Sequence, residues 1–136
     1  MLASHRAMTA YQNVGTGNTV ASAPPEQLTR LLLDGACERI ARAKGHLQRG
    51  QVAERGAQTG AAIAIVDELR ASLRHEVAPA LCANLDPLYD YIQRLLLRAG
   101  VERRIAPLDE AAHLLGEIQI AWQAVAAQNT PAQAVP

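Results

Sequence analysis

Leu28, Leu32, Ala36, Ile40, Ala43 and Leu47 recur at steps of three and four residues, the spacing that lays one apolar stripe along a 3.6-residue helix. The spacing returns three more times along the chain. A second stripe follows Val52, Thr59, Ile63, Val66 and Leu73, and a third follows Leu85, Leu88, Ile92, Leu95 and Ala99. The fourth runs through Leu108, Ala111, Leu115, Ile118, Trp122 and Val125. Helix-breaking residues divide the four. Pro24-Pro25-Glu26 opens the first helix, because proline is tolerated in a first turn and a carboxylate suits the positive end of the dipole. Gly50 ends it, and the second helix runs from Gln51 or Val52 to about Arg74. Asp86-Pro87 reads as an N-cap and the first residue of the third helix, after Pro79 and a short helical turn at Ala80–Ala83. Gly100 ends that helix and Pro107 opens the fourth. Helices of about 14–25 residues, or about 20–38 Å, joined by short turns are antiparallel neighbours. The expected fold is all-α: an antiparallel up-down helical bundle of four long helices plus a short mobile N-terminal helix.

The N-terminal part differs in kind. No charged residue occurs from Ala7 to Pro25, and Gly15-Thr-Gly-Asn-Thr19 reads as a loop. Met8, Tyr11 and Val14 are helically spaced, but one or two turns do not persist alone in water. The expected organisation is therefore a mobile segment over 1–23, a helical bundle over 24–128, and a disordered tail over 129–136 with nothing to bury. Inside the second helix Gly56, Ala57, Gly60, Ala61 and Ala64 form a small-residue face that lets a neighbouring backbone come close. Mid-helix glycines cost about 1 kcal/mol each against alanine, so packing has to offset them.

Several classes are excluded. The 136 residues make one domain, and 13 basic against 13 acidic side chains leave no bulk positive charge for nucleic acid. Two cysteines, Cys37 and Cys82, build neither a disulfide framework nor a thiolate metal site, which favours a reducing compartment, the cytosol. The first ten residues lack the apolar region of a secretion signal. The longest strongly apolar stretch, Gly56–Val66, is too short to insert in a membrane, which takes about 20 residues.

Catalytic constellations are thin. Glu110-Ala-Ala-His113 has the Glu-x-x-His spacing of di-iron bundles, but such a site needs a second copy and two further inward glutamates. Glu110 falls about 200° round the helix from Leu108, away from the core. His46 and His75 sit near helix C-termini, where imidazolium suits the dipole. Gly15-x-Gly lacks the Lys-Ser/Thr of a phosphate loop, and the cysteines read as small core residues. No catalytic residue, metal site or cofactor is expected. A metal-binding four-helix bundle enzyme and a client-free structural homo-oligomer stand as alternatives.

The unusual feature is an excess of apolar helix surface. Ala61, Ile65 and Leu69 are displaced from the second stripe, and Tyr91 and Leu95 lie beside Leu88 while Tyr89 takes another side. A bundle helix needs an apolar arc only about 100° wide. Wider faces leave two readings open: a well-packed core with a few exposed side chains, or a face covered by a partner, a dimer mate or the Tyr11 segment.

Four blocks then stand in register: Ala10-Tyr11-Gln12; Val20 to Leu28 leading into Leu31-Leu-Leu-Asp-Gly-Ala36; Ile65-Val-Asp-Glu-Leu-Arg-Ala-Ser-Leu73; and Asn84-Leu-Asp-Pro-Leu-Tyr-Asp-Tyr-Ile92. Together they resemble the FliS family of flagellin-specific export chaperones over about Ala10 to Ala127. The resemblance implies a cytosolic, non-enzymatic bundle that binds the disordered C-terminal segment of flagellin in apolar grooves. It would prevent premature polymerisation and assist flagellar type III secretion as a monomer or weak homodimer, with other flagellar export or regulatory proteins left open as partners. It also implies that the Tyr-Gln segment covers a groove until flagellin arrives. Tyr11, Gln12, Leu88, Tyr89 and Tyr91 match family motifs and are candidate partner-binding residues; Asp34, Asp67 and Arg70 match polar family positions. The stripe itself adds Ile63, Val66, Leu69 and Leu95. The chain departs from the family at Pro24, where a small polar residue is usual, and at Pro87, where the helix usually continues.

Overall fold

Each of the four apolar repeats becomes one helix. The computed structural model describes residues 25–128. Within them α1 spans Pro25–Gln48, α2 Val52–Ala71, α3 Pro79–Glu102 and α4 Ala106–Gln128. Sequence neighbours pack side by side and α4 closes back onto α1. The result is the expected all-α, up-down antiparallel bundle; the N-terminal segment with its short helix, and the tail, lie outside the described residues. No helix among the described residues is long and apolar enough to cross a membrane.

The first turn follows the glycine rule. Gly50 takes φ +70°, and the Gln51 and Gly50 amides donate to the His46 and Leu47 carbonyls at 2.9 and 3.1 Å, the paired bonds of a Schellman ending. Gly100 behaves otherwise. α3 runs past it and stops at Arg103, a left-handed residue at φ 53° whose amide donates to the Ala99 carbonyl. Gly100 is small for another reason: a Cβ there would stand 2.9 Å from Arg55 Nη1.

α3 also begins earlier than expected, so there is no separate turn at Ala80–Ala83. Pro79 is its first-turn proline, and the helix continues through Pro87. Pro87 is exposed, which keeps its ring out of the packing, and the lost N–H deprives only the Ala83 carbonyl of its helical partner. Asp86 does not cap a helix; its Oδ1 accepts from Arg70 Nε at 2.8 Å. α2 in turn ends at Ala71, short of Arg74, where the Ser72 hydroxyl donates to the Leu69 carbonyl at 2.8 Å.

The core of α1 is the expected stripe, with Leu33 added beside Leu32. In α2 the buried arc shifts. Ile65 and Leu69 are 0% and 1% exposed while Val52 is 49% exposed, because this helix packs against α1 on one side and α3 on the other. The small-residue face divides accordingly. Ala64 is buried, but Gly56, Ala57 and Gly60 face solvent, and a Cβ on either glycine would meet nothing within 4 Å. Close approach is made instead along the α1–α2 seam, the most extensive of the four, where both helices carry buried alanines.

Replacing Pro87 by alanine restores a helical hydrogen bond at an exposed position. Urea denaturation of Pro87→Ala is expected to give an unfolding free energy higher by about 1–3 kcal/mol; an unchanged or lower value contradicts a continuous α3.

Candidate functional site

The residues that carried catalytic readings are engaged separately. Glu110 Oε2 accepts from the Tyr91 hydroxyl at 2.6 Å, and His113 Nε2 lies 2.6 Å from Glu117 Oε1. Among the described residues no group of three His, Cys, Asp or Glu side chains is placed to hold a metal ion. Burial, with Asp34 nearby, pushes the Cys37 thiol up to about 11, and Cys82 is 2% exposed. Cys37 therefore supplies no thiolate near neutral pH. His46 closes α1, with Nδ1 2.7 Å from Gln51 Oε1.

The candidate binding residues separate by depth. Val66, Leu69, Tyr89 and Leu95 are all at most 2% exposed and form part of the bundle interior. Burial pushes the Tyr89 phenol up to about 12. Ile63 and Leu88 are half-buried at the edge of the core, and Tyr91 is 41% exposed. Tyr11 and Gln12 lie outside the described residues.

Between α2 and α3 runs a polar ladder. Arg70 Nε donates to Asp86, and its Nη1 donates to Gln93 Oε1 at 3.0 Å and approaches Asp90 Oδ1 at 3.4 Å. Gln93 Nε2 then donates to Asp67 Oδ1 at 2.7 Å and to the Ile63 carbonyl at 3.1 Å. Asp34 accepts from Gln119 Nε2 at 2.7 Å and joins α1 to α4. These family-matched polar residues tie helices together. Gln93, which supplies two rungs, was missed in the sequence, where a single glutamine among leucines carries no signal.

Beside the ladder, Gly100 of α3 lies against Arg55 of α2, and Gly56 and Gly60 of α2 leave open space where a side chain would stand. Leu97 and Val101 of α3 are 59% and 85% exposed, so α3 carries large apolar side chains that no neighbouring helix covers. A second apolar region lies where α1 and α3 begin and α2 and α4 end. There Val77, Leu81 and Val125 are exposed beside half-buried Leu28, Leu73, Leu85 and Leu88. Trp122 stands at the same end, its Nε1 donating to the Glu26 carbonyl at 3.1 Å.

Comparison with known proteins gives a consistent result. The family model described as flagellar protein FliS matches residues 7–129. The chain is 38% identical to the flagellar secretion chaperone FliSB of Pseudomonas aeruginosa, over 88% of this chain and 95% of that protein. It is 37% identical to the flagellar secretion chaperone FliS of Salmonella typhimurium, over 85% and 87% of the two chains. The corresponding Escherichia coli protein is 33% identical over 84% and 85%.

Two outcomes follow from the depth of these residues. Leu95→Ala is expected to lower the unfolding free energy by about 2–5 kcal/mol, whereas Tyr91→Ala changes it by less than about 1 kcal/mol; equal losses in denaturant melts contradict the assignment of Leu95 to the core. Tyr89 ionises near pH 10 when unfolded and near 12 when folded. Its contribution is therefore complete below about pH 10 and lost as pH rises through about 12, a decline of about 2–3 kcal/mol that Tyr89→Phe removes.

Proposed function

The chain belongs to the flagellar protein FliS family and serves flagellar secretion as an export chaperone, and we propose that its client is the disordered C-terminal segment of flagellin, held in the cytosol until export. The proposed action is binding, not catalysis. The observation that carries this reading is the apolar surface that the four helices leave open although their core is complete. A segment that folds into short amphipathic helices covers such surface by laying its apolar face against it. Covering it also removes that segment from self-association, which is how premature polymerisation is avoided.

Ile63, Leu88 and Tyr91 are the proposed contact residues, since they reach the surface; Val66, Leu69, Tyr89 and Leu95 shape the helix faces beneath them. A disordered client loses about 2–5 kcal/mol of the gross interaction in ordering, so the covered area has to be large. Two open regions on one bundle supply more area than either alone.

The segment 1–23 is the proposed competitor. It joins α1 at the end of the bundle where Val77, Leu81 and Val125 are exposed, and its uncharged run with Tyr11 and Gln12 has the composition to cover them. A segment that must leave before the client docks lowers apparent affinity by the fraction of time it is seated.

Calorimetric titration with a C-terminal flagellin peptide of about 50 residues is expected to show one-to-one binding with a strongly negative heat-capacity change. Deleting residues 1–17 is expected to raise both peptide affinity and apolar-dye binding, and Tyr91→Ala to weaken the peptide about five- to tenfold. Absence of heat at several temperatures with folded components sinks the flagellin reading; unchanged affinity and dye binding after the deletion sinks the competitor.

A further inference from the structure

At the end of the bundle opposite Trp122, the α1–α2 turn and the α3–α4 turn enclose a cleft of about 300 Å³ lined by Leu47, Gly50, Gln51, Val52, Arg55 and Arg103. Arg55 is the unusual member. It is 7% exposed, its Nε is buried with no hydrogen-bond partner, and its guanidinium has no ion pair among the described residues. A cation withdrawn from water without a partner is unfavourable. The carboxylates near the α3–α4 turn are engaged elsewhere: Glu102 pairs with Arg98 and Arg104 at 3.2 and 3.5 Å, and Asp109 with Lys44 at 2.9 Å.

The backbone adds to the same charge. α2 begins at this cleft, and its N-cap residue Gln51 makes no side-chain capping bond, since Gln51 Oε1 is taken by His46 Nδ1 and by Arg49 Nε at 2.7 and 3.0 Å. The first-turn amides of Val52, Ala53 and Glu54 therefore lack a side-chain acceptor, and the positive end of the helix faces outward. Gly100 completes the arrangement, because any side chain there would displace the Arg55 guanidinium.

We infer that this cleft binds a single small oxyanion, a carboxylate or a phosphate group, through Arg55, Arg103 and the first turn of α2. Arg55 supplies the fixed, desolvated charge, and a guanidinium suits two-oxygen anions by geometry. Arg103 supplies a second charge from a left-handed backbone position that favours glycine. Leu47 and Val52 form an apolar lip, which accommodates an anion carried on an apolar stem as well as a free ion.

The test uses the full chain labelled with ¹⁵N at low chloride, titrated separately with inorganic phosphate and with acetate. Saturable shifts of the Val52, Ala53 and Arg55 signals, with a dissociation constant on the order of millimolar, are expected for a solvent-open site built on charged hydrogen bonds. Arg55→Met is expected to weaken binding about tenfold or more. Arg103→Gly is expected to weaken it about threefold while raising the melting temperature, since glycine relieves the left-handed strain; it keeps the test decisive where Arg55→Met fails to fold. Saturation by phosphate alone assigns the site to free or esterified phosphate, and saturation by acetate assigns it to a carboxylate. Linear, unsaturable shifts with both probes, or saturation that survives Arg103→Gly and Arg55→Met unchanged, overturn the proposal.

Discussion

The register between α2 and α3 depends on one arginine. The other two connections are tight: a Schellman turn at Gly50 and a left-handed stop at Arg103 leave little freedom in how the next helix starts. Residues 72–78 form a longer connection of hydrogen-bonded turns, with the Leu73 amide donating to the Arg70 carbonyl and the Ala78 amide to the Arg74 carbonyl. Beyond it Arg70 ties the two helices by engaging Asp86, Asp90 and Gln93 over two turns of α3, and Gln93 passes the contact back to Asp67 and the Ile63 carbonyl. The ion pairs of Arg70 are partly hydrated, its side chain being 31% exposed, so they contribute little net stability, while Gln93 is buried at 8% exposure.

Apolar surface remains open outside the ladder. Leu97 and Val101 are 59% and 85% exposed on α3, and Gly56 and Gly60 leave the outer face of α2 without side chains. The interior is meanwhile filled mainly by leucine, isoleucine and alanine, with Tyr89 the only aromatic among the buried side chains of the described residues. α3 thus carries both buried side chains, such as Leu95 and Leu96, and exposed apolar ones, such as Leu97 and Val101.

Much of this was legible before any coordinates. The stripe of α1, its glycine stop and the proline start of α4 rest on local rules, and the structure repeats them almost residue for residue. Asp86-Pro87 misled because a proline opening a helix and a proline inside one look alike locally; the difference lies in Arg70, sixteen residues earlier, which holds the aspartate. Gly100 misled for a similar reason, since its smallness serves Arg55 on another helix. The width of the α2 face was visible, but not which part faces inward: Ile65 and Leu69 look displaced only when one neighbour is assumed, and α2 has two. Among candidate contacts, periodicity set Tyr91 beside Leu88 and Tyr89 on another side, whereas the structure buries Tyr89 and leaves Tyr91 exposed against Glu110.

Trp122 is the sole tryptophan of the chain, and its indole N–H is bonded to the first turn of α1. The protein therefore carries one indole fluorophore, which can be excited apart from its tyrosines, seated at the joint between its first and last helices. Its emission maximum and its accessibility to quenchers depend on whether that joint is dry, which makes the unlabelled chain its own optical gauge of what happens at that end of the bundle. The cleft at Arg55 lies at the far end, beyond the reach of that signal. One molecule thus offers a spectroscopically visible pole and a silent one, and events at the two can be told apart in a single cuvette.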